Sequence, residues 1–529
     1  MNNASVERIA ASYTEVPYYS SAIPESHPDR LATLGYLFGL SPAPVENCRL
    51  LELGCAGGGN IIPMAYHLPG STFLGVELAA NQAMAAQKAT QDLGLENIRI
   101  ENKDMLALSS SVGPFDYIIC HGVFSWVPEP VQEKIFAIMS ESLSEQGIGY
   151  ISYNTYPGWH FREVVRHMML YHAEQFDTPE TRLNQGKAFI NFIADAMANQ
   201  NDPYGLLLRD ELKVLKAGGD YYIFHEYMEL VNSPIYFHQF VQRAERHGLQ
   251  YLAESEFQTM FDVGIPDNIS QTVARISRDI IQNEQYLDFL RNRCFRKTLI
   301  CRKNLKLRRS LDASCLDKLL ISSTSTPEGL ADASPSSRMA KFRTYDGMLL
   351  ETDDPFIPAG LMVLRESWPR ALAFEDLVQR CLQRLEDTTP QGLDPEIVRQ
   401  ELGQGLLRCR ISGAVELHSW QDDIVTVLSD RPRVSEFTHY QVQQHQRIVN
   451  RSHQVCDADP FERRLIRLLD GQHDMGRLTD KMVQCVEDGT FTVSEFDVPI
   501  TDSEKIRQTI KENVGTVLSR LLDAGLLVE

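Results

Sequence analysis

Between Cys48 and about Asn154, short apolar runs alternate with amphipathic ones. Arg49 to Leu53 reads as a strand, and Thr72 to Val76 as a second one ending at Glu77. A helix follows through Ala79 to Leu93. Asn97 to Glu101 is a third strand, Phe115 to Cys120 a fourth, Val131 to Ser142 another helix, and Gly149 to Tyr153 a fifth strand. Strands alternating with helices and joined by short connections predict a mostly parallel sheet with helices on both faces.

The pattern changes on either side. Before the first strand, Tyr13 to Leu40 carries Pro17, Tyr18, Tyr19, Pro24, His27 and Pro28, then the amphipathic run Leu31, Leu34, Leu37, Phe38, Leu40. After Trp159 a stripe of Val164, Val165, Met168, Met169 and Tyr171 opens a helical region whose periods run to about Leu252. Within it, Tyr221 to Tyr227 and Pro234 to Phe240 are rich in aromatic residues, expected to pack between helices. Arg291 to Arg309 is basic with Phe295, Leu299, Ile300 and Leu305 interleaved, which reads as a strand with its charges solvated on one face. Ser322 to Ser337 has linker composition. Beyond it, Leu372 to Leu385, Phe461 to Leu469 and Val514 to Leu522 read as amphipathic helices, the last stopped by Gly525 before the tail Leu526 to Val528. The division expected is 1–44 as an entry or lid segment, 45–160 as the sheet domain, 161–321 as a middle domain, 322–337 as a linker and 338–529 as a C-terminal domain.

Composition adds bounds. The 529 residues suit about three domains. A formal charge of −20 argues against a nucleic-acid partner, because phosphate binding needs a basic face. The ten cysteines include no Cys-x-x-Cys pair, and no metal site is expected. No apolar run reaches the ~18 residues of a membrane span, so no membrane insertion is expected and a reduced cytoplasmic setting is the default.

Candidate chemistry sits at the end of the first strand. Arg49-Leu-Leu-Glu-Leu-Gly-Cys-Ala-Gly-Gly-Gly-Asn60 turns a strand into a helix through glycines, where backbone can approach a ligand and helix N–H groups lack partners. Glu52, Gly54, Ala56 and Gly58 keep an acidic-x-Gly-x-Gly-x-Gly spacing, with alanine at the middle position. About twenty-five residues on, Glu77 ends the second strand, where a carboxylate can accept both hydroxyls of a ribose. Asp104 follows the third strand, placed for the amino group of an adenine, with Met105 as apolar cover.

This order resembles the class I S-adenosylmethionine (AdoMet) methyltransferases and implies a Rossmann-like α/β domain. A dinucleotide dehydrogenase shares the loop and Glu77 but would prefer three intact glycines and no carboxylate at Glu52, which in the methyltransferase reading faces the methionine ammonium. Leu51 to Ala65, Cys120-His-Gly-Val-Phe-Ser-Trp-Val-Pro128 and Ser152-Tyr-Asn-Thr-Tyr-Pro-Gly-Trp159 resemble, more narrowly, bacterial methyltransferases with a methyltransferase regulatory domain. Val16-Pro-Tyr18, Ser26-His-Pro-Asp-Arg-Leu31, His225-Glu-Tyr-Met-Glu229, Pro234-Ile-Tyr-Phe237 and His247-Gly-Leu-Gln-Tyr251 extend the likeness to about Arg302. The C-terminal helices and tail resemble a winged-helix fold, and the middle domain is expected to be mainly helical.

The resemblance implies cofactor contacts from Glu52, Gly54, Cys55, Ala56, Gly58, Asn60, Glu77, Leu78, Asp104, Met105 and His121. Characterised rickettsial members are protein-lysine methyltransferases of outer-membrane proteins, so it also implies a protein acceptor that presents lysine. Aromatic residues at the ends of strands four and five could line the acceptor channel: Phe124, Trp126, Tyr153, Tyr156 and Trp159. Tyr153 or Tyr156 could hold the amine, Asn154 orient it and His121 accept a proton; Tyr18 and His27 are lid candidates. A small-molecule N- or O-methyltransferase and an AdoMet-binding regulator without turnover are the competing readings, and a homodimer is one arrangement compatible with the first.

Overall fold

The computed structural model describes residues 20–109, 112–197, 202–328, 339–344, 347–386, 392–444, 447–495, 498–500 and 502–528. They fall into two compact units. The first holds residues 20–21, 38–65 and 69–307, and the second holds 22–37, 66–68 and the described residues from 308 onward.

In the first unit the strands are β1 (Arg49–Leu53), β2 (Thr72–Glu77), β3 (Ile98–Asn102), β4 (Phe115–Cys120), β5 (Leu143–Asn154), β6 (Leu249–Glu254) and β7 (Phe295–Arg302). The helices are α1 (Ile61–His67, whose last two residues fall in the second unit), α2 (Ala80–Asp92), α3 (Glu129–Ser142), α4 (Gly158–Ala173), α5 (Pro179–Ala196), α6 (Pro203–Ala217), α7 (Phe237–Arg246), α8 (Asp267–Ile276) and α9 (Ile280–Arg291). Sheet order is β3-β2-β1-β4-β5-β7-β6. The pairs among β1 to β5 are parallel, while β7 runs antiparallel to both β5 and β6. The expected α/β Rossmann-like sheet is therefore present, with the chain reversal between β1 and β4 that opens a crevice at their C-terminal ends.

Three expectations change. The helical reading to about Leu252 fails at Leu249–Glu254, which is strand β6, and the sheet does not end near residue 160 because β6 and β7 extend it. The fifth strand is longer than its apolar stretch, since its polar start Leu143–Gly147 still pairs at Phe115. Strand β7 is present, but its charges are not all solvated. Arg296 is fully buried, lies opposite Tyr153 in the β5 register, and donates to Asp288 Oδ2 at 2.9 Å, Glu254 Oε1 at 2.7 Å and Glu284 Oε2 at 3.0 Å. Helix α9 supplies Glu284 and Asp288 and β6 supplies Glu254, so this face of β7 is covered by carboxylates. A buried charge held this way is paired and hydrogen-bonded, as burial requires.

One hydrophobic core joins both parts of the sheet. Ile118, Phe124, Phe136, Met139 and Ile151 pack with Phe237, Phe240, Leu249, Tyr251 and Ile300. Phe240 of α7 stacks on Tyr153 with centroids 4.1 Å apart, which ties the middle segment to strand β5. A second cluster, Val165, Met169, Leu183, Ile190, Leu208, Phe224 and Tyr227, forms the interior of the helical insertion α4 to α6.

In the second unit, Leu320–Ser322 is the middle strand of a small antiparallel sheet, with Leu372–Ala373 and Glu416–His418 on its edges. The start of the expected linker is thus ordered, as are Thr326–Pro327; residues 329–338 lie outside the described part. Helices Phe356–Ser367, Phe374–Glu386 and Pro395–Ile411 cover that sheet. Glu436–Gln444, Pro460–Ile466, Met475–Glu487 and Ser503–Asp523 surround a core of Leu465, Leu469, Leu478, Met482, Val514, Leu518 and Leu521. Of the entry segment, helix Pro28–Leu37 belongs to this unit: Asp29 accepts from Ser419 N at 2.6 Å and Trp420 N at 3.0 Å, and Arg30 pairs with Glu416 at 3.0 Å. Among the described residues no helix is long and apolar enough to cross a membrane.

Candidate active site

Strand β1 delivers Glu52 and then a loop whose backbone is bent by necessity. Gly54 has φ +74°, and a Cβ there would lie 2.5 Å from Val123 Cγ2, so the loop passes against the segment after β4. Gly58 has φ +81°, and its Cβ would meet Ile62 Cδ1 at 2.5 Å. Ala56, where the general pattern has glycine, takes a left-handed φ of +47°. Gly54 N and Cys55 N both donate to Val76 O, and Gly59 N donates to Ser20 Oγ at 2.7 Å.

Glu77, at the end of β2, holds this loop. Its Oε2 accepts from Ala56 N at 2.9 Å and its Oε1 from Ala79 N at 2.7 Å. Burial raises its pKa, with those backbone donors opposing the rise. Each carboxylate oxygen retains further lone-pair capacity for a hydroxyl. Asn102 Nδ2 donates to Glu77 O and Leu78 O, which fixes the half-buried Leu78 beside it. Asp104 caps the single turn Met105–Ala107 by accepting from Leu106 N at 2.9 Å, and Met105 packs on the core edge.

Glu52 is buried, with Asn60 Nδ2 donating to its Oε1 at 2.8 Å. Its Oε2 is buried with no hydrogen-bond partner. Burial pushes its pKa up to about 7, opposed by the Asn60 bond and assisted by the charge of Glu77. A buried orphaned carboxylate oxygen is costly unless a ligand satisfies it. The orphaned oxygen, a left-handed loop without bulky side chains and a carboxylate at the end of β2 fit the ammonium, sulfonium and ribose parts of AdoMet. Cys55 is buried with its sulfur against the Gly75 backbone, where an added Cβ would come within 2.8 Å of it.

At the ends of β4 and β5 the structure sorts the expected acceptor residues. His121 Nδ1 lies 2.8 Å from Tyr150 Oη, and the two rings stack. Trp126 meets buried Trp159 edge to face at 6.1 Å, and Arg162 lies over the Trp159 ring. Tyr156 donates to Glu163 Oε1 at 2.8 Å and stacks on His160 at 3.9 Å. Asn154 is buried, donates its backbone N–H to Ser125 Oγ at 2.8 Å, and donates from Nδ2 to Asn232 Oδ1 at 3.1 Å.

Three expected residues are elsewhere. Tyr153 is fully buried in the core: its hydroxyl is 3.0 Å from Thr298 Oγ1, its ring lies under Phe240, and strand alternation turns it away from its neighbour Asn154. Its ring thus packs in the core between β5 and α7. Phe124 is likewise enclosed by Phe136 and Phe240. Tyr18 lies outside the described residues, and His27 is buried in the second unit against His453 and Trp420. Ser125, Glu163, Asn232 and Tyr236 had no periodic signal in the sequence. Tyr236 stood in the aromatic run read as packing, yet its hydroxyl meets His160 Nε2 at 3.0 Å. Among the described residues no group of three or more His, Cys, Asp or Glu is arranged to hold a metal ion.

Comparison with known proteins agrees with this geometry. Residues 50–147 match the family described as "Methyltransferase domain", 219–302 the "Predicted methyltransferase regulatory domain" and 430–526 the "PKMT, C-terminal winged helix domain". An uncharacterized protein of Rickettsia prowazekii is 32% identical over 523 residues, which is 98% of this chain and 93% of that protein. The solved structure of PKMT2 from Rickettsia typhi superposes with a TM-score of 0.87 at 28% identity, covering 97% of this chain and all of that one. The chain belongs to the rickettsial-type PKMT-like methyltransferases. PKMT2 has also been solved in complex with AdoHcy, with a TM-score of 0.86 to this chain. This PKMT-like chain is accordingly a methyltransferase with AdoMet as its cofactor, and its C-terminal domain is a winged helix.

Proposed function

We propose that this PKMT-like enzyme methylates lysine side chains of a protein acceptor, with Glu52, Gly54, Ala56, Gly58, Asn60, Glu77, Leu78 and Asp104 around the cofactor. The observation that carries the reading is the convergence of the β1 loop, packed on Val123, with an amide and aromatic cluster at the ends of β4 and β5 in one unit. The name PKMT, an abbreviation of protein-lysine methyltransferase, supports the same acceptor for this chain.

When bound, AdoMet supplies an electrophilic methyl group on a sulfonium. The chain's residues have to present a neutral amine to it in line, at about 3 to 3.5 Å. A free lysine keeps its proton up to about pH 10.4, and enclosure by Trp126, Tyr156 and neighbouring rings disfavours the charged form. Asn154 can accept an N–H of the neutral amine through Oδ1 and so aim its lone pair. His121, held by Tyr150, is the imidazole that can take up the released proton.

The test is radiolabelled AdoMet with a lysate of the source organism, envelope fraction included, followed by gel separation and residue mapping. Label on lysine of a discrete protein is the expected result. Label confined to small molecules would overturn the protein acceptor, and tight AdoMet binding without any label would overturn turnover itself.

A further inference from the structure

The region matching the regulatory domain does more than cover the sheet: residues 232–235 are built into the end of β5. Ser233 N donates to Ser125 O at 2.8 Å and Ile235 N to Asn154 O at 3.1 Å. Thr155 and Ile235 form an isolated parallel bridge, closed by Thr155 Oγ1 donating to Ile235 O at 2.7 Å. This segment holds the Asn154 main chain from one side while Ser125 Oγ holds it from the other.

The side chains continue the pairing. Asn154 Nδ2 spends a proton on Asn232 Oδ1, which fixes the plane of the Asn154 amide. Asn232 Nδ2 is then a buried donor with no hydrogen-bond partner. An amide donor taken out of water and left unpaired is unfavourable, and native proteins rarely keep one without a reason. Asn154 has a buried side chain, and among the described residues its own Oδ1 accepts no hydrogen bond. The pair thus offers one acceptor, Asn154 Oδ1, and one donor, Asn232 Nδ2, on two amides locked to each other.

We infer that Asn232 completes the acceptor site: it positions Asn154 to receive the N–H of the incoming amine and gives its own N–H to a carbonyl oxygen of the acceptor segment. This rests on the protein-lysine reading above. It gives the region of residues 219–302 a part in substrate recognition, in addition to its structural strands. The chemistry selects a primary amine attached to a peptide, because a lone small amine has no carbonyl to satisfy the second amide.

The test uses the full chain as wild type, Asn232→Ala and Asn232→Asp. Total envelope protein of the source organism serves as the acceptor probe, and its concentration is varied at saturating AdoMet. Asn232→Ala removes both contacts and is expected to lower kcat at least tenfold with AdoMet affinity unchanged by calorimetry. Asn232→Asp keeps an oxygen for Asn154 Nδ2 but loses the donor, so it is expected to recover most of kcat while apparent KM rises severalfold. Wild-type kcat and KM in Asn232→Ala, alongside lysine labelling by the wild type, would overturn the inference and leave the lysine reading standing. Equal losses in both variants accompanied by a lowered Tm would also overturn it, by showing a structural role. Absence of lysine label with the wild type would remove the reading on which the inference rests, and the inference with it.

Discussion

Asn60 Nδ2 donates to Glu52 Oε1 at 2.8 Å and leaves the other oxygen of the same buried carboxylate without a partner. The bond orients the carboxylate without neutralising it, and burial still raises its pKa from 4.5 to about 7. For an acid held this way the stabilising contribution is complete below pH 4.5 and is lost as pH rises through about 7. Glu52→Gln should therefore make the ligand-free protein more stable at pH 8, by about 3 kcal/mol at most, with no difference at pH 4. In AdoMet binding the order should reverse, because loss of a charge-assisted contact weakens affinity by about 10- to 100-fold. Urea unfolding at both pH values and calorimetry at pH 8 check the two halves; equal stability at pH 8 would refute the assigned shift.

Glu77 links the loop to helix α2 by accepting from Ala56 N and Ala79 N. Glu77→Ala removes both anchors and the carboxylate proposed for the ribose, so AdoMet affinity should fall by about 100-fold, two charge-assisted bonds of 1.5 kcal/mol or more each. Calorimetry on a variant shown to be folded by circular dichroism decides; unchanged affinity would displace the cofactor from this end of β2.

Ala56 keeps φ +47°, a conformation that costs a side-chain-bearing residue about 1 to 2 kcal/mol. Ala56→Gly removes that strain while adding unfolded-state freedom of about 0.4 to 1 kcal/mol. The variant should melt at or slightly above the wild-type temperature with unchanged AdoMet affinity. A clear drop in Tm would show that the alanine methyl has a packing role.

Arg296 is enclosed by Glu254, Glu284 and Asp288, with Phe237 beneath its guanidinium at 3.8 Å. Arg296→Met takes the cation from buried Glu284 and leaves Glu254 and Asp288 with Arg293 alone, and should cost about 3 to 5 kcal/mol in urea unfolding. Adding Glu254→Gln and Asp288→Asn should return part of the loss. Full stability in the single variant would mean that the cluster is solvated.

His27 is buried in the second unit, and burial lowers its pKa from 6.5 to about 4, with Asp29 opposing and His418 and Arg30 assisting. His453, 5.2 Å away between ring centroids, is held neutral by burial as well. A depressed histidine contributes stability that is present above pH 6.5 and is lost as pH falls through about 4, here about 3 kcal/mol for His27 alone. Protection against hydrogen exchange in helix Pro28–Leu37, corrected for the intrinsic pH dependence of amide exchange, should fall as pH is lowered over that interval in the wild type and much less in His27→Phe. Identical acid profiles would locate the titration elsewhere.

Much of the catalytic sheet was legible because it is local. Five apolar runs, the turn residues between them and the carboxylates at Glu52 and Glu77 are each specified within a few positions, and β1, β2 and β4 begin and end where those runs do to within a residue. Leu249–Glu254 reads as helix from sequence because a six-residue stretch of mixed polarity beside an amphipathic helix fits either period, and only pairing with β7 decides it. Tyr153 could not be told from a site residue without the register that sets it against Arg296 and under Phe240.

The sequence by itself determined the order of strands β1 to β5 and the helices between them, the glycine turn at the head of α1 and the acidic groups around it, since backbone conformation and side-chain alternation are short-range properties. Only the tertiary structure decided that β7 carries a buried arginine, that helix Pro28–Leu37 packs in the second unit, and that Asn232 meets Asn154 across 78 positions of chain. Those facts depend on which distant surfaces exclude water from each other, and burial of a polar group is set by its partners in space rather than by its neighbours in sequence.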